Sequence, residues 1–170
     1  GKLDYQNMTH ALAQAQRGAS GPVILAREPW TAFWPEAEAL MRVHRAEVDP
    51  EGVARAPFSI NTELGQMLSD AGAMPIWTAR AQGSIVAYLV WNLGPSLDSQ
   101  SLLATQGPWF VAPDRRASSI GIRLYKRALS DLREMGVERA LLHHWALGGG
   151  ERLGKFFERL GGTPLEVTYS

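Results

Sequence analysis

Apolar and polar positions along the chain repeat with two different periods. In residues 75–92, two apolar runs flank the pair Gln82-Gly83, a pattern that predicts a β-hairpin with a tight turn. The second run is apolar throughout residues 85–91, which is typical of a strand covered on both faces. Further strands are predicted at 23–26, 102–111, 139–145 and 165–169.

Apolar residues three and four positions apart indicate helices in other stretches. The predicted helices lie between Pro29 and Asp49, and at 61–71, 120–134 and 153–160. Pro35 is placed in the first turn of the first helix, where a missing N–H is tolerated. The predicted inner face of the second helix consists of Ile60, Leu64, Met67, Leu68 and Ala71. The order of strands and helices predicts an α/β fold in which a mixed sheet has helices on both faces.

The stretch from Trp109 to Ile122 joins an apolar strand to an amphipathic helix. Pro113 ends the strand because it has no N–H to give to a sheet, and helical spacing begins at Ile120. Such a turn leaves backbone N–H groups unpaired at the positive end of the helix dipole, where phosphate binds well. Its small and basic residues are Ala117, Ser118, Ser119 and Gly121, with Arg115 and Arg116. The alternative is an ordinary connection with a solvated arginine pair.

Residues 113–121 resemble the pyrophosphate loop of the GNAT superfamily of N-acetyltransferases. The family pattern is Arg/Gln-x-x-Gly-x-Gly/Ala at the end of the fourth strand. Here Arg116 opens the pattern, Ser119 replaces the middle glycine and Gly121 closes it. The order of elements supports the resemblance over most of the chain. Small GNAT-like proteins encoded by bacteriophages are also similar, with an arginine-rich loop and a Leu-Gly-x-x-hydrophobic-Glu-x-Leu-Gly ending like that of residues 153–161.

The resemblance implies a mostly antiparallel central sheet of six or seven strands, because the family usually has two strands after the last helix and one fits here. It also implies that the fourth and fifth strands splay to admit the pantetheine arm and thioester of acetyl-coenzyme A. Gly107-Pro108 agrees with the bulge that the family carries in its fourth strand. The alternative is that this strand starts late, at Trp109.

In the family, backbone amides of the loop hold the pyrophosphate of acetyl-coenzyme A, and the splayed strand faces the acetyl carbonyl and the pantetheine. The resemblance therefore implies acetyl-coenzyme A as co-substrate. The implied cofactor-binding residues are Phe110, Val111, Arg115, Arg116, Ala117, Ser118, Ser119, Ile120 and Gly121.

Acetyl transfer to an amine also needs a proton acceptor and a proton donor. The family often uses a tyrosine on the last helix as proton donor, and an asparagine upstream of it that contacts the cofactor. In this chain, Phe157 stands at the tyrosine position and Gly150 at the asparagine position. No carboxylate base matches on the fourth strand, where Gln106 is the nearest polar residue. The candidate bases are His143 and His144, of which at most one faces the cleft because neighbours on a strand point to opposite faces. The alternative is a structural role for both.

Composition excludes several classes of function. The 17 lysine and arginine residues balance 17 aspartate and glutamate residues, so no overall field favours nucleic acid or an anionic membrane. The chain has no cysteine, and adjacent histidines on a strand cannot chelate one ion, so no metal is expected. No apolar run reaches the roughly 20 residues that span a bilayer.

The length of 170 residues suits one domain. Residues 23–170 are assigned to a single GNAT-like domain, and residues 1–22 to an N-terminal arm that is either frayed or a short helix docking on a partner. The first four residues lack a signal-peptide pattern. The expected location is therefore the cytoplasm of a bacterial host, or a virion if a phage encodes the chain.

The leading hypothesis is an N-acetyltransferase that uses acetyl-coenzyme A to acetylate an amine of a small molecule or peptide. The competing hypothesis is a GNAT-fold module with a decayed acetyl site and a structural or protein-binding role, for example in a phage particle. Ser119 favours decay if its position needs a positive φ, because serine is strained there and glycine is not. The sequence is compatible with a homo-oligomer.

Overall fold

The structure is a computed structural model that describes residues 22–56, 58–144 and 150–165. Its strands and helices are, in chain order, β1 (Val23–Glu28), α1 (Trp30–Val48), α2 (Pro50–Arg55), α3 (Thr62–Asp70), β2 (Ile76–Ala81), β3 (Ser84–Pro95), β4 (Leu102–Val111), α4 (Ile120–Glu134), β5 (Arg139–Leu141) and α5 (Gly150–Arg159). A 3₁₀ turn, Pro113–Arg115, lies between β4 and α4. The predicted N-terminal arm lies outside the described residues except for Pro22. No helix in these ranges has the length and apolar composition that crossing a bilayer requires.

The strands form one sheet in the order β1-β2-β3-β4-β5. The first four pair antiparallel, and β4 pairs with β5 in parallel. Helix α1 covers one face, where Phe33 packs on Tyr88 of β3, and α4 and α5 cover the other, where Tyr125 packs on Trp91. A mixed, mostly antiparallel α/β sheet with helices on both faces is therefore confirmed. Strand β3 is buried from Ile85 to Trp91, as its apolar run predicts.

The prediction of six or seven strands is wrong, because the described part of the chain forms five. Of the predicted strand at 165–169, the described portion is Leu165, which is 62 % exposed and not in the sheet. Strand β5 is also shorter than the predicted 139–145, since its pairing with β4 stops at Leu141. His143 and His144 therefore follow the strand instead of belonging to it.

Two local predictions are confirmed. The hairpin turn consists of Gln82 and Gly83, whose φ angles of 49° and 85° are both positive, as a two-residue turn between antiparallel strands requires. Helix α4 begins at Ile120 as its spacing predicts. It ends just before Gly136, where a φ of 84° favours glycine.

Strand β4 contains the predicted bulge. Its pairing with β3 shifts by one residue between Leu89 and Trp91, so that Val90 faces both Gly107 and Pro108. A Cβ atom on Gly107 would lie 3.0 Å from the carbonyl oxygen of Val90, which explains why a glycine stands at this close approach. Because β4 begins at residue 102, the alternative of a late strand start is wrong.

Two predictions about the helices are wrong. Pro35 lies inside α1 and not in its first turn, because the helix already begins at Trp30. Leu64 and Met67, assigned to the inner face of α3, are 44 % and 59 % exposed. Gly65 faces α1 instead, and a Cβ atom there would lie 2.6 Å from the Trp30 ring. Ile60 and Leu68, from the same predicted face, do pack against the core. The buried face of α3 therefore includes Gly65 and Leu68 and leaves Leu64 and Met67 exposed.

Candidate functional site

Beyond Thr105, strand β4 has an open edge on the side of β5. The two strands pair over three residues, and no described residue continues the pairing towards Val111. On the opposite side, the N–H of Ala112 donates to the carbonyl of Val86 (2.9 Å). Because hydrogen bonding alternates along an antiparallel strand, the N–H and C=O of Val111 point to the open edge, whereas those of Phe110 point to β3.

Gln106 lies where β4 and β5 separate, and it is 6 % exposed. Its amide nitrogen donates to the carbonyl of His143 (3.2 Å), and its amide oxygen accepts from the hydroxyl of Tyr125 (2.5 Å). Burial raises the pKa of Tyr125 far above its usual range, so its hydroxyl remains a protonated donor. These hydrogen bonds tie α4 and the residues after β5 to β4, and they fix where the open edge begins.

The turn between β4 and α4 presents unpaired backbone N–H groups. Two of its N–H groups bond within the turn: that of Ser118 donates to the carbonyl of Arg115 (2.9 Å), and that of Ile120 donates to Oγ of Ser118 (3.3 Å). Within the described ranges, no acceptor is found for the N–H groups of Ala117, Ser119, Gly121 and Ile122. These groups lie just before α4 and in its first turn, at the positive end of the helix dipole. This arrangement is suited to bind phosphate.

The small residues of the turn allow this geometry without strain. A Cβ atom on Gly121 would lie 2.9 Å from Cγ2 of Val111 and 3.4 Å from Cζ2 of Trp109, so glycine lets α4 start against the end of β4. Ser119 has a φ of −80°, which any residue adopts. The position does not need a positive φ, so Ser119 gives no support to the decayed-site hypothesis.

Both arginines of the turn have carboxylate partners. Nε of Arg115 lies 3.4 Å from Oδ2 of Asp114. Arg116 donates from Nε to the carbonyl of Val111 (3.0 Å) and from Nη2 to Oε2 of Glu47 on α1 (2.6 Å). The arginine that opens the predicted phosphate motif therefore fastens the turn to β4 and to α1.

A histidine and tyrosine pair beside this turn is absent from the sequence-based candidates. Nδ1 of His44 on α1 lies 3.1 Å from the hydroxyl of Tyr88, and both rings pack on Phe110. Burial lowers the pKa of His44; Arg116 lowers it further, while Glu47 raises it. The sequence gives one indication of this pair, because His44 lies at the edge of the apolar face of α1, but its partner is 44 residues away.

The lowered pKa of His44 has a consequence for stability. The ordinary histidine pKa is 6.5, so below that pH the unfolded chain binds more protons than the folded one. We expect the free energy of unfolding to fall as the pH drops below about 6.5, and to fall less in His44→Gln, which does not titrate. Urea unfolding at about pH 7.5 and about pH 5.5 measures this. His144→Gln is the control, and equal pH dependence in wild type and His44→Gln would contradict the expectation.

The predicted catalytic histidines lie at the far end of the open edge. Both are exposed after β5, and the carbonyl of His143 accepts from Gln106. Although His143 is exposed as a residue, partial burial of its imidazole lowers its pKa, and the neighbouring histidine lowers it further. The ring of His144 lies 6.2 Å from that of Phe157 on α5. Phe157 is itself buried, as is Gly150 at the start of the same helix.

A second concave surface lies away from the turn, between α1 and α3. This groove has a volume of about 780 Å³, and the rings of Trp30 and Trp34 stack along it at 4.8 Å. The other lining residues are Thr31, Pro35, Thr62, Glu63, Gln66, Met67 and Asp70. Glu47 lies near the opposite end of α1, about 20 Å from Trp34 by the helical rise. The groove is thus separate from the open edge of β4.

The chain was compared with family models, curated proteins and solved structures, and only the solved structures match. No protein-family model matches the chain, and no curated protein matches its sequence. Solved structures do match. An aminoglycoside acetyltransferase from an uncultured soil metagenomic sample is 14 % identical with a TM-score of 0.67, over 88 % of this chain and 96 % of that one. A ribosomal-protein-alanine N-acetyltransferase from Brucella melitensis is 17 % identical with a TM-score of 0.67 and the same coverage.

An acetyltransferase from Trypanosoma brucei is similar as well, with 15 % identity and a TM-score of 0.61 over 88 % of this chain and 98 % of that one. The chain therefore has the fold of GNAT-type acetyltransferases. At these identities the likeness concerns the fold alone.

Proposed function

We propose that this chain, which has the GNAT fold, binds acetyl-coenzyme A and transfers the acetyl group to an amine. The observation that carries the proposal is the group of unpaired N–H groups at Ala117, Ser119, Gly121 and Ile122 beside the open edge of β4. A diphosphate fits such a turn because the N–H groups and the helix dipole together favour negative charge. The open edge offers the N–H of Val111 to an extended arm that carries amides.

In this reaction the chain forms no covalent bond with either reactant. Acetyl-coenzyme A supplies an activated acyl group; the amine nitrogen forms a bond to the carbonyl carbon, and the carbon–sulfur bond breaks. The amine loses a proton and the thiolate gains one. The turn and the edge of β4 hold the reactant in place, and this orientation provides a large part of the rate. Backbone N–H groups at the edge can also donate to the carbonyl oxygen as charge develops.

For proton transfer, we propose one of His143 and His144 as the base. Both follow β5 close to Gln106, where β4 and β5 separate, and the lowered pKa of His143 keeps its imidazole neutral near pH 7, as a base requires. Phe157 has no proton to give, so the thiolate takes its proton from solvent. The acceptor is an amine of a small molecule or a peptide.

The competing function, a protein-binding module with a decayed site, is favoured by the buried apolar Phe157 at the position of the family's acid. Two measurements separate the candidates. Acetyl-coenzyme A at a hundred times its Kd is expected to raise the free energy of unfolding by about 2.7 kcal/mol. Thiol release with a panel of amines is expected to depend on the amine and to fall in His143→Ala or His144→Ala. Absence of a thermal shift at millimolar acetyl-coenzyme A would overturn the proposal, and binding without amine-dependent thiol release would overturn the transfer step.

A further inference from the structure

The side chain of Arg116 lies across the open edge of β4. Its Nε donates to the carbonyl of Val111 (3.0 Å), and its Nη2 donates to Oε2 of Glu47 on α1 (2.6 Å). The Val111 carbonyl is one of the polar groups that point to the open edge. A free strand edge pairs with any extended chain that carries amides. Arg116 thus occupies the Val111 carbonyl, which would otherwise accept an N–H from an extended ligand with amide groups.

Arg116 directly precedes Ala117, the first of the residues whose N–H has no acceptor in the described ranges, so its long side chain starts from the turn that would bind a diphosphate. Arginine binds phosphate oxygens with the same planar geometry that it uses for a carboxylate. The side chains of Arg116 and Glu47 are 48 % and 36 % exposed, and ion pairs that open to solvent are weak. A diphosphate seated on the turn therefore competes with Glu47 for Arg116.

We infer that Arg116 and Glu47 form a latch that closes the open edge of β4 in the free protein and opens when a diphosphate ligand binds. In the open state the guanidinium pairs with phosphate oxygens, and the Val111 carbonyl accepts an N–H from the ligand. The inference rests on the proposed function and adds a role for Glu47. As a positioning residue, Glu47 holds Arg116 away from the ligand and lowers the affinity.

The test measures the Kd of acetyl-coenzyme A by calorimetry for the full chain and its variants. Glu47→Gln frees Arg116 and keeps the size of the side chain; we expect binding to tighten about two- to fivefold, the range that an exposed ion pair provides. Arg116→Gln is expected to weaken binding about tenfold or more, because a charge-assisted contact with phosphate is lost. In Glu47→Gln/Arg116→Gln the gain from Glu47→Gln is expected to vanish.

The control is Glu38→Gln, which removes one negative charge from the same helix and breaks an ion pair of similar exposure with Arg42 (2.7 Å). Its Kd is expected to stay within about 1.5-fold of wild type, given the screening of exposed charges. The latch is overturned if Glu47→Gln leaves the Kd unchanged or raises it. It is also overturned if Glu47→Gln tightens binding equally in the Arg116→Gln background, because the gain is then a general effect of charge. If wild type binds acetyl-coenzyme A but Glu47→Gln does not bind it more tightly, the latch is wrong and the proposed function stands. No binding by any variant at millimolar ligand overturns both.

Discussion

Replacing Ser119 by proline is expected to weaken acetyl-coenzyme A binding about 10- to 100-fold, the range of one hydrogen bond to a charged group. Proline removes an N–H for which the described residues provide no acceptor. The φ of −80° at Ser119 lies within the range that the proline ring imposes. The substitution therefore removes a donor to the diphosphate while the φ at position 119 stays within proline's range. Calorimetric titration with acetyl-coenzyme A measures the effect.

The matched control is Ser119→Ala, which removes the hydroxyl but keeps the N–H. Its Kd is expected to stay within about twofold of wild type, because the main chain provides the contact. Circular dichroism and thermal unfolding check that both variants keep the fold. Equal affinities for the two variants would contradict the view that the backbone nitrogen binds the ligand.

The second large effect is expected at Gln106, where leucine preserves the approximate volume but removes both hydrogen bonds. Without the amide oxygen, the buried hydroxyl of Tyr125 loses its acceptor, and the carbonyl of His143 loses its donor. A buried polar group left unpaired costs about 1–3 kcal/mol. We expect Gln106→Leu to lower the free energy of unfolding by about 2 kcal/mol, measured by urea unfolding.

The double variant Gln106→Leu/Tyr125→Phe separates this cause from a loss of packing. Removing both buried polar groups is far less costly than removing one. The double variant is therefore expected to regain most of the lost stability, and Tyr125→Phe alone to lose less than Gln106→Leu. If the double variant is as unstable as Gln106→Leu, the unpaired hydroxyl is not the cause of the loss.

Features set by neighbouring residues could be predicted from the sequence. The turn at Gln82-Gly83, the start of α4 and the bulge at Gly107-Pro108 each depend on a few adjacent residues with special backbone requirements. The same holds for the turn between β4 and α4, where Pro113 ends the strand and small residues open the helix. The GNAT fold itself is suggested by the resemblance of residues 113–121 to the family motif and by the order of strands and helices along the chain.

Features that depend on contacts between distant residues could not be predicted. The partner of Arg116 is Glu47, 69 residues away in the chain, and the partner of His44 is Tyr88. The burial of Gly65 on α3 follows from its contact with Trp30, which the spacing of apolar residues does not predict. The length of β5 is likewise set by the strand beside it, because Gln106 is the point at which β4 and β5 separate.

The central claim is that main-chain N–H groups at the turn between β4 and α4 bind the diphosphate of acetyl-coenzyme A. Its most direct test is a titration of ¹⁵N-labelled protein with acetyl-coenzyme A, followed through the backbone amide resonances. We expect the largest shifts, downfield in the proton dimension, at Ala117, Ser119, Gly121 and Ile122, because each N–H gains a charged acceptor. Unchanged resonances at these positions, with the largest shifts instead along the groove of Trp30 and Trp34 or nowhere, would contradict the claim.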